Sequence, residues 1–314
     1  MAAQTALTAR RARTGQPEQP VRPFRRRAGS FVALALAALV TVSCGRSDQG
    51  GTSDGPAPAA AGKSATELLP SDVKKKGVLR VATAVGYPPM EMYKPGTTEL
   101  TGVDPDLARA VADRLGLRLE LTNAAFDGLI PGLKSGRFDL VMSSMTDSPE
   151  RRKAVDFVDY FRTGGVIMTK KGNPEGITTL EDLCGKAVVL AKGSSNLAIG
   201  QEQNTRCGKK MRISQSEDAP TGLLQIDSGR AVATIVDYPV AAMFVKEKGV
   251  YEALPEQYGT APWGIAVGKD RSGLRDAVQR ALQDLIDDGG YRKVLDSYGV
   301  GGSAVPKATV NDGT

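Results

Sequence analysis

The sequence predicts an α/β protein of two lobes, each built around a sheet rich in parallel strands. From Gly77 onward, short apolar runs alternate with helical patterns, and this strand–helix–strand spacing is typical of parallel sheets covered by helices. The chain has 314 residues, of which 41% are hydrophobic, enough to bury the cores of about two domains. A cleft between two such lobes is the default place for a ligand.

The first part of the pattern predicts three strands and two helices. In chain order they are strand 78–84, helix 104–116, strand 117–122, helix 126–136 and strand 138–144. The first strand contains several β-branched residues and is ended by Pro88 and Pro89. Asp104 is the expected N-cap of the first helix, Pro105 suits its first position, and Gly116 ends it.

The second part predicts five more strands separated by helices. The strands cover 165–171, 186–193, 211–214, 231–237 and 263–269, and the helices cover about 195–204, 219–229, 239–249, 273–288 and 290–298. No internal repeat is visible along this pattern. The C-terminal residues 301–314 show neither the apolar pattern of a strand nor that of a helix, and they are predicted to be a disordered tail.

Positive charge is concentrated at the N-terminus. The whole chain carries a net charge of +6, and residues 1–43 hold seven arginines and one acid, so the remainder is close to neutral. This distribution argues against a basic face that binds nucleic acid. Arg25, Arg26 and Arg27 precede an apolar run at 31–42, which is short for a membrane span of roughly 20 residues. Residues 1–43 are therefore predicted to be a secretory signal peptide.

Cys44 follows the apolar run directly, in the segment TVSCG. The segment resembles the lipobox of bacterial lipoproteins, in which the cysteine takes the lipid, although Thr41 stands where leucine is usual. The alternative is an ordinary signal peptide that leaves a cysteine as first residue. Residues 44–76 open with Gly, Ser, Ala and Pro, so a lipidated cysteine and a flexible tether are predicted there. The protein would then be anchored to the outer face of the cell membrane.

The remaining cysteines, Cys184 and Cys207, are predicted to form a disulfide, because an even number of cysteines outside the cytosol usually pairs. Two buried free thiols are the alternative. The chain contains no histidine, which removes Ser-His-Asp and Cys-His nucleophile chemistry and argues against a zinc site. We therefore expect no cofactor, no metal and no catalytic residue.

Five segments, taken together and in this order, resemble one protein family. They are YPPMEM (87–92), LTGVDPDLARAVADRLG (100–116), FDGLIPGLKSGRFDLVMSSMTDSPERRKAVDF (126–157), TTLEDLCGKAVVLAKGSS (178–195) and LLQIDSGRAVATIVDYPVA (223–241). The set resembles the family 3 extracellular solute-binding proteins, the amino-acid receptors of bacterial ABC importers. The resemblance covers roughly 77–299.

The resemblance implies a periplasmic-binding-protein type II fold whose chain crosses twice between lobes. Lobe 1 would comprise 77–163 plus 260–300, and lobe 2 would comprise 164–259. A free amino acid would lie in the cleft, and the lobes would close over it by a hinge motion. The implied partners are this small molecule and a membrane-embedded ABC permease, with the receptor itself a monomer.

Four polar positions match the end of the family's site that binds the ligand carboxylate. The arginine of the T-x-x-x-x-R segment pairs with that carboxylate, and this position is Arg151. Ser144 and Thr146 match residues that supply hydroxyl or backbone groups, and Ser143 is their neighbour. Ser195 matches a helix-start position that offers a hydroxyl and an amide. Taken alone, Arg151 also fits a surface ion pair, and Ser195 a helix cap.

Asp237 matches the acid that pairs with the ligand ammonium, so the two lobes would carry opposite charges. Tyr87 and Phe126 match the aromatic positions that enclose the ligand side chain. Each position also fits a structural role: Asp237 precedes a helix and would serve as its N-cap, while the two aromatic residues would pack in the protein.

The resemblance also guides the choice of ligand. Ala84 stands where receptors for lysine, arginine or glutamine often carry an aspartate, so we expect a neutral or acidic amino acid rather than a cationic one. We expect a binding protein and not an enzyme, with two alternatives left open. One is a cyclohexadienyl-dehydratase-like enzyme on the same fold, which needs a further acid in the cleft; the other is a ligand-sensing receptor domain.

Overall fold

The computed structural model describes residues 62–313. The predicted signal peptide, Cys44 and most of the predicted tether lie outside the described residues. Among residues 62–313, no helix is both long enough and apolar enough to cross a membrane.

The helices and strands follow one another in the alternating order that the sequence predicts. The helices are α1 Ala65–Leu68, α2 Ser71–Lys76, α3 Val103–Leu115, α4 Leu129–Lys134, α5 Pro149–Arg152, α6 Ser195–Arg206, α7 Ala219–Asp227, α8 Tyr238–Lys248, α9 Ser272–Asp287 and α10 Gly290–Ser297. The strands are β1 Val78–Thr83, β2 Met92–Tyr93, β3 Leu100–Thr101, β4 Arg118–Asn123, β5 Leu140–Val141, β6 Val155–Lys170, β7 Ala187–Ala191, β8 Arg212–Ser216, β9 Ala233–Asp237, β10 Tyr251–Ala253, β11 Tyr258–Gly268 and β12 Ala304–Val310.

Within residues 62–313, ten strands form one mixed sheet in the order β4-β1-β5-β11-β6-β9-β7-β8, with β10 and β12 also paired to β6. The pairs β1–β4, β1–β5, β7–β8 and β7–β9 are parallel. In the first of these pairs, Val78 lies beside Arg118 and Thr83 beside Asn123. The predicted α/β class with parallel-rich sheets is therefore confirmed.

Two long strands, β6 and β11, connect the two parallel groups. They are antiparallel to each other from Val155 beside Gly268 to Gly165 beside Tyr258. The last third of β6 then pairs with β9 and β10. The sequence predicts only 165–171 for the first of these strands, because the buried acids Asp156 and Asp159 interrupt its apolar pattern.

Apolar side chains are buried on the helices that cover each parallel group. Leu107 and Val111 of α3 and Leu282 of α9 are fully buried beside the β1 group. Leu190 of β7 and Ile235 of β9 form part of a separate cluster under α6. Each parallel group, one on either side of the long strands β6 and β11, thus packs against its own helices. This packing accounts for the alternation of apolar strands and helices in the sequence.

The start of α3 differs from the prediction. Gly102, and not Asp104, is its N-cap, with φ of 123°, a conformation that side chains other than glycine rarely adopt. A Cβ at this position would lie 2.2 Å from the carbonyl oxygen of Met90. Asp104 lies inside the first turn of α3 and is fully buried, where it makes tertiary hydrogen bonds instead of capping the helix.

The predicted tether boundary at residue 76 is wrong in position. The helices α1 and α2 fold onto the β1 group, and Ala65, Leu69 and Val73 are buried there. Ser64 caps α1 through a reciprocal hydrogen-bond pair with Glu67. A few apolar residues spaced along a polar segment are enough to dock it, and composition alone does not reveal them.

The predicted disordered tail is also wrong, because β12 pairs with β6 over part of this segment. Ala308 is 1% exposed; its N–H donates to Gln283 Oε1 and its carbonyl accepts from Gln279 Nε2, both at 3.0 Å. The side chain of Asn311 accepts a 2.8 Å hydrogen bond from the backbone of Phe157. The tail has few apolar residues, and it is ordered mainly by polar contacts to α9 and β6.

The predicted disulfide between Cys184 and Cys207 is confirmed, with the two Cα atoms 5.4 Å apart. It joins the segment before β7 to the C-terminal end of α6. Closing a loop of this length contributes about 3 kcal/mol to the free energy of unfolding in the chain-entropy model.

We predict that Ala308→Asp lowers the thermal unfolding midpoint by several degrees, whereas Lys307→Asp leaves it nearly unchanged. The two substitutions introduce the same charge at adjacent positions of β12, one buried and one exposed. An unpaired buried charge is costly, and about 1 kcal/mol shifts the midpoint of a protein of this size by about 2–4 °C. Scanning calorimetry measures both unfolding midpoints. Equal midpoints for the two variants would contradict the ordered strand and support the disordered tail that the sequence predicts.

A second prediction concerns Asp159, which is 1% exposed under β12. Burial raises its pKa to about 7, and the charges of Asp147 and Asp312 act in the same direction. The folded state therefore holds this proton more tightly than the unfolded state does, and stability is lost as pH rises from about 4 through 7.

Asp159→Asn removes this ionisation while keeping an oxygen that can accept from the backbone of Asp312. We expect the variant to gain thermal stability over the parent at pH 8 and to gain little at pH 5. Unfolding midpoints at both pH values measure the difference, with the exposed Asp113→Asn as control. A gain that does not depend on pH would contradict this account.

Candidate functional site

One cavity collects the side chains that follow several strands of the sheet. It lies beyond the ends of β1, β5, β7 and β9 and has about 810 Å³ of empty volume, part of it open to solvent. In α/β sheets, ligands bind outside the carboxyl ends of parallel strands. All seven residues assigned to the ligand by resemblance line this cavity: Tyr87, Phe126, Ser144, Thr146, Arg151, Ser195 and Asp237. Their contact with a ligand stays a prediction.

Arg151 lies in α5, whose N-cap Ser148 accepts the Arg151 backbone N–H. Its guanidinium donates to the carbonyl oxygens of Thr146 at 3.0 Å and Gly193 at 3.1 Å, and lies 5.4 Å from the centre of the Phe126 ring. Loss of hydration lowers the pKa of Arg151 to about 10, which the charge of Asp237 partly offsets. Among the ion pairs of the described residues none includes Arg151, so the surface ion-pair interpretation is wrong.

Thr146 and Ser195 meet across the cavity, with their hydroxyl oxygens 3.0 Å apart. The cap of α6 is the preceding Ser194, whose hydroxyl accepts the Leu197 N–H at 3.0 Å. The capping role proposed as the alternative for Ser195 is therefore wrong. Its hydroxyl and the first turn of α6 face the same space as the Arg151 guanidinium.

Ser144 is held in a left-handed conformation, with φ of 46°, and its backbone N–H donates to Asp104 Oδ2 at 2.6 Å. That amide is thus already engaged within the protein. The neighbouring Ser143 hydroxyl accepts the Ala84 N–H at 2.9 Å. These contacts fix the segment after β5 against α3 and β1, and the hydroxyl of Ser144 also donates a long hydrogen bond, 3.4 Å, to Asp104 Oδ2.

Asp237 ends β9 at the N-cap position of α8, but its side chain makes no capping hydrogen bond. The hydroxyl of Tyr87 instead donates to Asp237 Oδ2 and accepts the Asp237 N–H at 3.1 Å. Burial raises the pKa of Asp237, against the lowering effect of the Tyr87 hydrogen bond and the Arg151 charge. Tyr87, expected to enclose the ligand side chain, is therefore also a hydrogen-bond partner of the acid.

An ion pair lies beside the cavity, which Lys192 lines. Lys192, after β7, lies 2.7 Å from Asp127, which precedes α4, and both side chains are partly exposed. Hydrogen bonding to the ammonium of Lys192 lowers the pKa of Asp127. Together with the Arg151–Gly193 contact, this pair joins the segments that follow the β1 group to those that follow the β7 group.

Sequence reasoning missed a second buried acid in the cavity, Glu91. It lies in the turn that follows Tyr87, where the two residues exchange backbone hydrogen bonds of 3.0 and 3.1 Å. Glu91 is 1% exposed, and neither carboxyl oxygen has a hydrogen-bond partner within residues 62–313. The only signal was an acid inside the motif YPPMEM, which reads equally well as an exposed turn residue.

Glu91 lies beside Asp104, and the two carboxyl groups differ in their surroundings. Asp104 accepts from the backbone of Ser144 and, at 2.6 Å, from the hydroxyl of Tyr160. Burial raises the pKa of Glu91 well above its usual range, and the charge of Asp104 raises it further. Burial also raises the pKa of Asp104, but the hydrogen bonds that Asp104 accepts favour its charged form and oppose that rise.

The presence of Glu91 removes the premise for a neutral or acidic ligand. That expectation rested on Ala84 as the sign of a cavity without a further acid, yet Ala84 and Glu91 line the same cavity. The expectation considered only the position of Ala84, which precedes Tyr87, whereas Glu91 follows Tyr87 in the chain.

The chain is similar to a known protein family and to several of its members. The profile of the "Bacterial extracellular solute-binding proteins, family 3" matches residues 79–301. The arginine-binding extracellular protein ArtP of Bacillus subtilis is 36% identical, covering 73% of this chain and 88% of that protein. The L-cystine-binding protein TcyJ of Escherichia coli is 31% identical, covering 74% of this chain and 87% of that protein.

A solved structure is similar as well. The ancestral amino acid-binding protein AncCDT-1, described as a precursor of cyclohexadienyl dehydratase, superposes with a TM-score of 0.67 at 33% identity. The match covers 74% of this chain and 99% of that one. The predicted type II periplasmic-binding-protein fold is thereby confirmed. With a profile match over most of its length and relatives above 30% identity, the chain belongs to the bacterial extracellular solute-binding proteins of family 3.

Proposed function

We propose that this protein is the extracytoplasmic receptor of an ABC importer and captures a free amino acid. One observation carries the proposal: a cation and an anion, Arg151 and Asp237, line one cavity without forming an ion pair with each other. A free amino acid presents an anion and a cation at adjacent positions, and it would satisfy both.

The carboxylate end of the ligand is assigned to Arg151. Its hydrogen bonds to two carbonyl oxygens hold the guanidinium in place but neutralise no charge. A carboxylate would supply the missing counter-charge in a site with little water, where such a pair is strong. The hydroxyls of Thr146 and Ser195, 3.0 Å apart, are the additional donors at this end.

The ammonium end is assigned to Asp237. A carboxylate can accept about four hydrogen bonds, so the contact with the Tyr87 hydroxyl leaves capacity for an ammonium. A cation beside Asp237 would also offset the burial that raises the pKa of this acid. The Tyr87 and Phe126 rings then flank the ligand beside its two charged ends.

The two charges belong to different lobes in the proposed division, lobe 1 at 77–163 plus 260–300 and lobe 2 at 164–259. The long strands β6 and β11 cross between them and would act as the hinge. A ligand that binds Arg151 in lobe 1 and Asp237 in lobe 2 stabilises the closed arrangement, because only that arrangement satisfies both of its charges.

At the membrane, we propose that residues 1–43 are removed as a signal peptide and that Cys44 carries a lipid. The receptor would then reach its permease from a short tether that ends before α1, as a monomer. The TVSCG segment and the low hydrophobicity of the following residues support this assignment.

We expect Arg151→Ala to weaken binding of the best ligand at least about 30-fold, because losing one partner of a buried charge pair costs about 2–5 kcal/mol. The ligand is found first by a thermal-shift screen against the twenty amino acids, and affinities are then measured by calorimetry. Lys153→Ala, two residues on and exposed, is the matched control and should bind normally.

The unliganded Arg151→Ala protein should unfold within a few degrees of the parent, since no ion pair is lost. Full affinity in this variant would remove Arg151 from the site. A screen in which no amino acid raises the unfolding midpoint would overturn the proposed function itself.

A second candidate function is favoured by one observation. A cyclohexadienyl-dehydratase-like reaction needs a further acid in the cleft, and Glu91, whose pKa is raised by burial, lines this cavity. The named relatives are binding proteins, so we predict no turnover. Incubation with prephenate and with arogenate, followed by detection of the aromatic product, checks this; product formation that is lost in Glu91→Gln would establish the enzyme instead.

A further inference from the structure

The chain continues past the part of it that the family profile matches. The profile match ends at residue 301, and β12, Ala304–Val310, follows it. Pairing with β6 and the hydrogen bonds between Ala308 and α9 fasten this segment to the protein. We call residues 304–313 the strap. None of them lines the cavity, so the recognition of an amino acid described above gives the strap no role.

The far end of the strap lies against Asp147. The Gly313 N–H donates to Asp147 Oδ2 at 2.8 Å, and both residues are buried. A Cβ at position 313 would overlap the carbonyl group of Asp147, so this close approach requires glycine. Thr146, the residue before Asp147, lines the cavity, whereas Asp147 does not. The strap therefore contacts the segment of Thr146 and Arg151 from outside the cavity.

Arg152 is the second point of contact. Its guanidinium donates to the Asn311 carbonyl at 2.7 Å, and its Nε lies 3.5 Å from Asp147 Oδ1. Asn311 is itself fixed to β6, because its backbone N–H donates to the Phe157 carbonyl at 3.1 Å and its side chain accepts the Phe157 N–H. Since Asp147 precedes Arg151 and Arg152 follows it, the strap holds the chain on both sides of Arg151.

The four-residue helix α5 makes few other polar contacts. Among residues 62–313, it donates two hydrogen bonds to residues outside 145–154: Arg151 to the Gly193 carbonyl at 3.1 Å and Arg152 to the strap. In the proposed division into lobes Gly193 belongs to lobe 2, so opening of the cleft would break the first contact. The second contact joins α5 to a strap that is fastened to α9 and to the first half of β6, so it would remain.

We propose that the strap positions the carboxylate end of the site: Asp147, Arg152 and Gly313 hold α5 so that the Arg151 guanidinium faces the cavity before a ligand arrives. The inference rests on the proposed function and adds three positioning residues, none of which lines the cavity. A group that is already held in its bound orientation loses less conformational freedom on binding, so the strap raises affinity without touching the ligand. Because such coupling is reciprocal, the bound amino acid also stabilises the docked strap.

The experiment measures affinity by calorimetry on the full chain, with the amino acid that most raises the unfolding midpoint in the screen of twenty. Gly313→Ala should bind this amino acid at least about fivefold more weakly than the parent, an effect of the size usual for coupled neighbours. Gly302→Ala is the matched control, because a Cβ there meets no atom within 4 Å among the described residues, and it should bind as the parent does. Full affinity of Gly313→Ala would overturn the inference.

A second comparison separates positioning of Arg151 from a general loss of structure. In the Arg151→Ala background, Gly313→Ala should change the affinity by less than about twofold, because the group that the strap positions is absent. An equal loss of affinity in both backgrounds would show that the substitution acts on something other than Arg151, and it would overturn the inference.

The parent protein supplies a test that needs no variant. Saturation with the same amino acid should slow amide hydrogen exchange in residues 308–313 by at least about threefold, since the ligand stabilises the docked strap. Unchanged exchange would overturn the inference, even if Gly313→Ala fails to fold. In each of these cases the parent still binds and the proposed receptor function survives. If no amino acid binds the parent, the proposed function fails, and this inference fails with it.

Discussion

The arrangement around the cavity depends on one constraint, a guanidinium that the protein partly buries without an ion-pair partner among residues 62–313. Arg151 is held by carbonyl oxygens of Thr146 and Gly193, which orient it but leave its charge uncompensated. The dehydration that lowers its pKa also makes it a strong site for an anion. The position of α5, the turn after β5 and the contact with the β7–α6 loop can all be understood as the support for this one group.

The acids of the cavity are arranged in a complementary way. Asp237 and Asp104 each accept a tyrosine hydroxyl, from Tyr87 and Tyr160, and these hydrogen bonds favour the charged forms despite burial. Glu91 accepts no tyrosine hydroxyl, and burial raises its pKa well above its usual range. The charged groups that line the cavity thus include two cations, Arg151 and Lys192, and the buried acids Glu91 and Asp237.

The sequence predicted most of the fold, because its strands and helices have clear periods and clear caps. Gly116 and Gly249 end helices where expected, and Cys184 pairs with Cys207. The failures have a common physical cause: tertiary contacts replaced local signals. Aspartate is a common N-cap residue, but Asp104 is buried in the first turn of α3, and Gly102 is the N-cap instead. The strand β12 is ordered by side-chain amides of α9, which no local sequence pattern reveals.

The site was predictable where the motif matched residue by residue, and all seven matched positions line the cavity. Glu91 was not, since its importance comes from its neighbours Asp104 and Tyr160, which lie 13 and 69 positions later in the chain. The proximity of such groups follows from the way β1, α3 and β6 pack together. The sequence alone therefore predicted candidate residues for the two charged ends of a ligand better than those for its side chain.

The most direct measurement compares the ligand found by screening with its α-methyl ester, on the parent and on Arg151→Ala. If Arg151 binds the ligand carboxylate, the ester binds the parent far more weakly than the free amino acid does, and the variant binds both equally. A variant that still prefers the free acid by the full parental factor would show that the carboxylate is recognised elsewhere, which would contradict the account.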